Sequence, residues 1–566
     1  MSLSLKVRFT DGKRVQVLSA QPGESLFALL RRHGISLNGP CGGAGRCGAC
    51  RLHLSGPASL PSSREEKLLG ARELTRGIRL ACQAIPLGPL EIEARPPAGT
   101  TSKGSLTPLH LRKITPLLPP GPPYPPLGLA LDLGTTTLAC YLTDLADGTV
   151  LAEAYRRNPG FLYGEDVISR VGAVAQEAGL LAVMQKDLQR ELNSAVDTLV
   201  GWAGATRESI GSVVVVGNSI MIHLFFGVDP APLACSPFRL QIRGNSAGLA
   251  GLAGLALHPQ AWLATPPLTS AYIGSDALAG LLSALDLRTR RPFLLLDLGT
   301  NAEVILVTKD RILAASTAAG PAFEGYTLSS GLPGGEGAIS GVRCSKKEGL
   351  QLEPFDVGEA RGITGSGVLD ALAILLAEGA LQPSGRLLPP PAAISPLATA
   401  VIQGHDGWEL QLAPGVQLTQ RDIRQLQLAK AAVGTATRFL LERAGIAASQ
   451  LKAILLAGTF GSYLRPQSAA AVGLVPSHNN PRHNTVFSEK SSMSPILFPI
   501  APTRAVGNAA GRGALLYLLS AHKRRLAQSL SQQIEVVELA GHSDFQRTFL
   551  AEMAFPSPST LLPPKP

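Results

Sequence analysis

The sequence predicts a multidomain chain of mixed α+β and α/β class. A small four-cysteine domain leads through a proline-rich linker to a duplicated α/β body. Three observations carry that prediction. The strand–turn–strand pattern around Asp-Leu-Gly-Thr occurs twice, at Asp132 and at Asp297. Four of the seven cysteines cluster near the start with the spacing C-x5-C-x2-C-x31-C. Eight prolines fall between positions 108 and 126, where a boundary is expected. The expected divisions are 1–96, 97–126, 127–289, 290–520 and 521–566.

Composition bounds the function. The chain has 566 residues, 45% of them apolar and only 5% aromatic, which allows several cores rich in Leu, Ala and Val. No apolar run reaches about 18 residues, so no membrane span is expected. The first residues alternate as a hairpin around Asp11-Gly12 rather than as a signal peptide, and a cytoplasmic chain with reduced thiols is expected. Net charge is +10, and residues 1–100 hold 14 Lys+Arg against 7 Asp+Glu. The basic residues are dispersed without interleaved aromatics, which argues against nucleic acid and for a basic face towards an acidic protein partner.

In the first domain a short amphipathic helix over 24–33 ends at Gly34. Cys41, Cys47 and Cys50 follow in a loop of small residues, and Cys82 comes later. Four thiolates at this spacing suit a 2Fe–2S cluster, because glycine and alanine let the loop wrap closely. Structural zinc is the alternative, but zinc ligands usually come as two close pairs, and Cys82 has no neighbouring cysteine. The linker is expected to be extended and semi-rigid, at about 3.1 Å per residue, and to act as a spacer.

Residues 127–144 read as strand, turn and strand. Asp132 ends the first strand, Gly134 permits close backbone approach, and Thr135 and Thr136 offer hydroxyls and N–H groups. This suits a phosphate chain with Mg²⁺. An ordinary hairpin is the alternative for one isolated copy. The second copy repeats the pattern with Asp297, Gly299, Thr300 and Asn301. Residues 213–227 then correspond to 453–464 as strand, glycine turn and helix. Gly274-x-x-Ala277-x-x-Gly280 corresponds to Gly507-x-x-Ala510-x-x-Gly513, each opening an apolar helix with a flat small-residue face. Four correspondences in one order indicate a duplicated lobe with nucleotide between the two turns.

Between these landmarks, Glu165 and Asp166 are expected to cap a helix dipole. Cys140 and Cys235 are expected to be buried, inert thiols. Residues 235–266 carry no assignment. Gly320 and Gly325 are expected to offer N–H groups to a terminal phosphate, and Thr364-Gly-Ser-Gly to give a second anion contact. Residues 421–439 form a helix whose basic face is expected to be solvated. Residues 477–503 read as a surface loop in which His478 and His483 carry little metal signal. A basic helix, a strand over 534–539 and a last helix are expected to pack back on the body.

The duplicated lobe resembles the actin, hexokinase and heat-shock-chaperone ATPase superfamily. That resemblance implies two ribonuclease-H-like lobes closing on Mg-ATP, with Asp132 and Asp297 facing metal and phosphates as the catalytic pair and Gly458 in the adenosine motif. The cysteine spacing is similar to adrenodoxin-like ferredoxins, which implies a β-grasp fold.

The combination resembles the reductive activators of corrinoid proteins over residues 1–556. Carrying it are CGGAGRCGAC with Cys82, LDLGTTT, GEDVISR, VVGNSIMIHLFFGVDP, LDLGTNAE, STAAGPAFEG, TGSGVLD, QLAKAA, LAGTFGSYL, VGNAAGRGA and the tail IEVVEL, DFQRTF and MAFP. Ala302 departs from the expected glycine and is expected to displace the second turn slightly. The 477–503 segment is longer than expected. The resemblance implies ATP-dependent passage of one electron from the cluster to cob(II)alamin on a corrinoid protein, giving cob(I)alamin. An upstream low-potential electron donor is implied, and a homodimer is left open. Two other readings remain: an electron-donating activator of a radical dehydratase, and a non-catalytic redox-sensing ATPase.

Overall fold

A computed structural model describes residues 3–9, 15–32, 50–94, 109, 113–117, 125–325, 327–332, 337–345, 348–354, 359–390, 395, 397–404, 407–458, 464–478 and 498–556. Cys41, Cys47, the Asp11-Gly12 turn, most of the linker, the helix expected directly after Gly458, and most of the 477–503 segment, with His483, lie outside the described residues.

The first domain has strands β1 (Leu3–Phe9), β2 (Val15–Ala20), β3 (Arg51–Ser55), β4 (Ile78–Leu80) and β5 (Leu90–Ala94), with helices α1 (Leu26–Arg32) and α2 (Ser63–Thr75). The five-stranded sheet runs β2-β1-β5-β3-β4. Antiparallel β1–β2 is the expected hairpin, and β5 returns parallel to β1. Val7, Leu18, Leu26, Leu30, Leu80 and Ile92 fill its core. Such a sheet crossed by one helix is the β-grasp arrangement.

The first lobe begins with β6 (Leu127–Leu133), β7 (Thr137–Asp144) and β8 (Val150–Arg157). It continues through α3 (Val167–Gln176), α4 (Leu180–Ala203), β9 (Ile210–Gly217), α5 (Ser219–Phe226), α6 (Ala231–Ala234), β10 (Ser246–Leu249), β11 (Trp262–Thr265) and α7 (Ser275–Asp286). The second lobe repeats the start as β12 (Phe293–Asp297), β13 (Asn301–Val307) and β14 (Ile312–Ala318). Two small sheets follow, β15 (Ala338–Ser345) with β16 (Gly349–Pro354) and β17 (Gly362–Ile363), then β18 (Val401–Gln403) with β19 (Trp408–Ala413) and β20 (Val416–Leu418). Helix α8 (Gly365–Ala377) lies between them. After α9 (Gln420–Ala444) come β21 (Ala453–Ala457), α10 (Pro466–Ala471), a short ladder of β22 (Ser477–His478) and β23 (Phe498–Pro499), β24 (Thr503–Gly507) and α11 (Ala509–Leu519). The chain closes with α12 (Ala521–Gln533), β25 (Ile534–Val536) and α13 (Phe545–Met553).

The two large sheets share an order over five strands, β11-β9-β6-β7-β8 in the first and β24-β21-β12-β13-β14 in the second, with β10 and β25 added at opposite edges. In each, the strand ending in aspartate lies between an antiparallel neighbour across the turn and a later parallel strand. β6, β9 and β12 are buried nearly throughout, as sheets covered on both faces require. Helices α7 and α11 form a layer between the sheets, packed with Ala130, Val214, Leu295 and Leu455 in one shared core. They cross closely: a Cβ at Gly513 would lie 1.9 Å from the Ala279 carbonyl oxygen. The small-residue pattern therefore marks the helix crossing.

Several expectations change. Residues 113–117 of the linker are docked rather than free. Thr115 N–H donates to the Leu519 carbonyl at 2.8 Å, and its hydroxyl accepts from Ala521 N–H at 2.8 Å. Arg524 donates to the carbonyls of Thr115 at 3.0 Å and Pro116 at 3.2 Å. Ile114 and Leu117 pack on the inter-lobe core. Cys140 is buried, and burial pushes its thiol up to about 12, but Cys235 is exposed. Its neighbours, Ser236 onward, leave a four-residue helix for an irregular stretch. Lys430 on the expected basic face of α9 is buried, because α13 packs there; it donates to the Glu552 carbonyl and, at 2.8 Å, to that of Ala554. The strand after α12 is shorter than expected and joins the second sheet parallel to β14.

Candidate functional site

The two Asp-Leu-Gly-Thr turns face each other across a cleft of about 640 Å³, part of it open to solvent. Asp132, Gly134, Thr135, Thr136, Asp297, Gly299, Thr300, Asn301 and Gly458 all line it. The hydroxyls of Thr136 and Thr300 meet at 2.6 Å.

The first turn is tight for an internal reason. A Cβ at Gly134 would lie 2.4 Å from the Thr137 carbonyl oxygen, so the glycine closes the turn itself. Side chains outside the turn hold it from behind. Asn158 donates its amide to the Gly134 carbonyl at 2.7 Å and its N–H to the Thr136 carbonyl at 2.8 Å. Arg170, wholly buried, donates to the carbonyls of Thr135 at 2.6 Å and Gly164 at 2.9 Å. Asn218 donates to the Thr135 hydroxyl at 3.1 Å, and Asn508 to the Asp132 carboxylate at 2.7 Å. Of the two acids expected to cap α3, Asp166 does so, accepting from Ser169 N–H at 2.8 Å. Glu165 does not: it is buried 3.8 Å from Arg157, and burial raises its pKa.

The second turn is held mainly by backbone. Gly320 N–H donates to the Thr300 carbonyl at 2.8 Å, and Gly325 N–H to the Ala322 carbonyl at 3.1 Å. Both N–H groups expected to face a phosphate are thus engaged, and Gly320 is not among the cleft-lining residues. Gly458 has φ +92°, and a Cβ there would lie 2.5 Å from the Leu298 carbonyl oxygen and 3.1 Å from the Asp297 carboxylate. Only glycine fits beside the turn at that position. Ala302, next to the turn, is fully buried in the second-lobe core. The Thr364 segment is not at the cleft. Thr364 donates to the Ile339 carbonyl at 3.1 Å and accepts from Gly367 N–H at 3.3 Å, so the start of α8 is capped by its own chain against β15.

Five carboxylates surround the turns: Asp132, Asp276, Asp297, Glu303 and Glu324. Burial raises Asp132 to about 8 against the pull of Asn508, with Asp276 and Asp297 adding to the rise. Burial and then Asp276 raise Asp297 to about 7; burial raises Asp276 to about 6. Glu303 is pushed well above its usual range by burial and by the two aspartates. Glu324 accepts from the hydroxyls of Thr136 at 2.9 Å and Thr300 at 2.7 Å. Each hydroxyl has one proton, so two protons serve three close contacts unless Glu324 is itself protonated. Burial raises its pKa, which favours that state.

Sequence reasoning missed Asn218, Asp276, Glu303, Glu324 and Asn508 as site residues. A signal existed for the asparagines. Val216-Gly217-Asn218 and Val506-Gly507-Asn508 are the same triplet, and each asparagine caps a helix, α5 or α11, while reaching the first turn.

In the small domain Cys50 and Cys82 place their sulfurs 3.4 Å apart. That is far longer than a disulfide bond of about 2.05 Å. Two thiolates on one tetrahedral metal with bonds of about 2.3 Å lie about 3.8 Å apart, so the pair fits a shared iron.

Family models match three consecutive stretches. Residues 9–87 match a 2Fe–2S iron–sulfur cluster binding domain, 127–289 the RACo middle region, and 291–564 the C-terminal domain of RACo, the ASKHA domain. The corrinoid activation enzyme RamQ of Eubacterium limosum is 30% identical over 442 residues, covering 76% of this chain and 70% of that one. A reductase of the Co(II) methylated-amine-specific corrinoid protein from Methanosarcina barkeri is 27% identical over 394 residues, covering 62% and 66%. A solved structure of a reductive activator for a corrinoid, iron–sulfur protein covers 98% of both chains with TM-score 0.69 and 24% identity, and shares the fold. With a cluster-binding domain, both RACo regions and a relative matched over most of its length, the chain belongs to the family of reductive activators of corrinoid proteins.

Proposed function

We propose that this chain uses ATP to pass one electron to cob(II)alamin on a corrinoid protein, returning it to cob(I)alamin. The observation that carries this reading is the meeting of the two duplicated turns at Thr136 and Thr300, with Asp132 and Asp297 beside them, in a chain that also carries a cysteine pair fit for iron.

The cleft supports nucleotide with Mg²⁺. Asp276 and Asp297 raise the pKa of the carboxylates beside them in the cleft, and a divalent cation relieves such crowding. Among the described residues no group of three or more His, Cys, Asp or Glu side chains converges closely enough to ligate one ion. That suits Mg²⁺, which keeps several waters and is reached by one or two carboxylates plus phosphate. In this reading Asp132 and Asp297 hold the hydrated ion. Gly134, Thr135, Thr136, Gly299, Thr300 and Asn301 face the phosphates, and Gly458 admits the adenosine. Gly320 acts through Thr300.

A 2Fe–2S cluster on Cys41, Cys47, Cys50 and Cys82 supplies the one-electron chemistry. A plant-type ferredoxin lies at about −400 mV, and the corrinoid acceptor is expected lower. ATP helps only if it favours a complex in which the acceptor is altered. Lobe closure about the α7–α11 layer is the two-state element available. No helix among the described residues is long and apolar enough to cross a membrane.

The test mixes the full chain, ATP, a reductant and a Co(II) corrinoid protein, and follows Co(I) absorbance. Co(I) should form only with all four present. Formation at the same rate without ATP would refute the coupling, and no Co(I) at all would refute the reaction.

A further inference from the structure

Next to Cys82 in the chain is Gln83, whose amide is oriented by a chain of buried and half-buried hydrogen bonds. The chain starts at Glu65, fully buried near the start of α2. Its carboxylate takes both arms of Arg79 at 2.8 and 2.9 Å and the N–H of Leu80 at 3.0 Å. It also takes the N–H of Ser62 at 2.9 Å. Arg79 reaches on to the Ser59 carbonyl at 2.7 Å, and the Ser59 hydroxyl accepts from Ile85 N–H at 3.1 Å. The segment carrying Cys82 is therefore pinned on both sides to the turn that opens α2.

Ser62 then decides which way the Gln83 amide points. The Ser62 oxygen accepts from Glu65 N–H at 3.3 Å, which leaves its hydroxyl proton to donate. That proton meets the Gln83 side-chain oxygen at 3.2 Å. The amide nitrogen is thereby turned the other way. It lies 3.3 Å from the Cys82 carbonyl oxygen and 3.8 Å from the Cys82 sulfur. An NH₂ group has two protons, one for each of these acceptors. A flipped amide would set its oxygen against two acceptors, the Cys82 carbonyl oxygen and the Cys82 sulfur.

We propose that Gln83 is a positioning residue that tunes the cluster by donating an N–H···S hydrogen bond to Cys82, held in that orientation by Ser62. The proposal rests on the reading that Cys82 is a cluster ligand. Reduction adds one electron and no proton, so negative charge on the ligand sulfurs rises. A donor aimed at one sulfur stabilises the reduced form, and hydrogen bonds to sulfur are among the levers that set such potentials. Gln83 thus makes the cluster easier for an upstream donor to fill and a milder reductant towards the acceptor.

The experiment is an EPR-monitored redox titration of the full-length, cluster-loaded chain. Gln83→Leu keeps the size and removes the donor; its midpoint should move to more negative potential, by several-fold in the electron-transfer equilibrium, tenfold being about 59 mV. Gln83→Glu should move it further the same way, because a negative charge faces the sulfur. Ser62→Ala frees the amide to turn and should give a smaller shift of the same sign. A Gln83→Leu chain with full cluster content and the parent's midpoint would overturn the proposal. If Gln83→Leu assembles no cluster, Ser62→Ala decides by the same sign. A parent chain without a reduced-cluster EPR signal would instead overturn the cluster reading itself.

Discussion

The two Asp-Leu-Gly-Thr turns present nearly the same groups to the cleft, yet they are held in place by different means. Polar side chains from four other elements or loops, Asn158, Arg170, Asn218 and Asn508, secure the first. The second relies on the Gly320 N–H and on the close approach of Gly458. The long helices differ likewise. In α4 the buried residues are all apolar, whereas α9 buries Gln427 and Lys430, whose side chains meet the end of α13. Duplication preserved what faces the ligand, while the supports diverged with what each lobe came to pack against. The first turn is thus a braced anvil, and the second is continuous with the loop that carries Glu324.

The largest effect expected is shared by both turns. Asp132→Ala or Asp297→Ala should lower Mg-dependent ATP turnover by about 100-fold or more, the scale of losing one preorganised electrostatic group. The cluster spectrum should be unchanged, since the cysteines lie in another domain. Parent-like ATP hydrolysis in both variants would remove the cleft from the mechanism.

The next effect separates the turns. Arg170→Met removes the buried donor of the Thr135 and Gly164 carbonyls. Each hydrogen bond to a charged group contributes about 1.5–3 kcal/mol, so losing the two is expected to cost about 3–6 kcal/mol. Gly458→Ala strains a φ of +92° and pushes a methyl against Leu298; this is expected to cost about 1–3 kcal/mol. Urea unfolding of the two variants gives the order, and equal losses would dissolve the distinction between braced and continuous turns.

How much of this was legible depends on range. The turns, their strands and the Gly/Ala helix faces announced themselves because a strand-and-turn pattern is local and was repeated. The first hairpin followed from alternation, and the β-grasp fold was implied by the resemblance to ferredoxins. The supports were not legible, because Arg170 reaches Thr135 only through the fold. Its own neighbourhood, Gly-Glu-Asp before a helix, reads as simple capping. Asp276 stands in the first turn of α7, and only the fold brings it to the same cleft as Asp132 and Asp297. Lys430 read as solvated because nothing local in α9 tells of α13 lying across it. The small sheets of β15–β20 were missed because their strands are short and interrupted by Gly and Pro.

Lys430 gives a pH-dependent way to sharpen the contrast between α9 and α4. Burial lowers its pKa to about 8, with Glu552 opposing the fall. An unfolded lysine titrates near about 10.4. Between these values the unfolded chain binds a proton that the folded chain lacks, so this group makes stability rise with pH from about 8 to about 10.4 and is level below 8. The difference in urea midpoint between the parent and Lys430→Met should therefore shift in the parent's favour from pH 8 to pH 10. A pH-independent difference would mean that Lys430 stays charged in its buried site.

The smallest effect concerns the two ends of α11. At its start Asn508 bonds Asp132, and at its end the Leu519 carbonyl holds Thr115 of the linker. One helix of 11 residues thus joins the cleft to the tether of the small domain. Arg524→Ala removes two of the bonds that dock the linker, together with its bonds to the Tyr517 and Leu518 carbonyls at the end of α11, and leaves the Thr115–Leu519 and Thr115–Ala521 bonds in place. Each ordinary hydrogen bond contributes about 0.5–1.5 kcal/mol net, so the anchor should loosen without unfolding anything. If the linker only tethers, loosening it lengthens the free segment slightly, and effective concentration falls gently with tether length. Co(I) formation should then slow by less than about twofold, and ATP turnover should stay at the parent's rate. If the docked linker transmits lobe movement to the cluster domain, the loss will be large and specific to Co(I) formation. Measuring both rates on the same Arg524→Ala preparation distinguishes a passive leash from a lever, and a large fall in ATP turnover alone would show that the C-terminal end of α11 feeds back on Asp132.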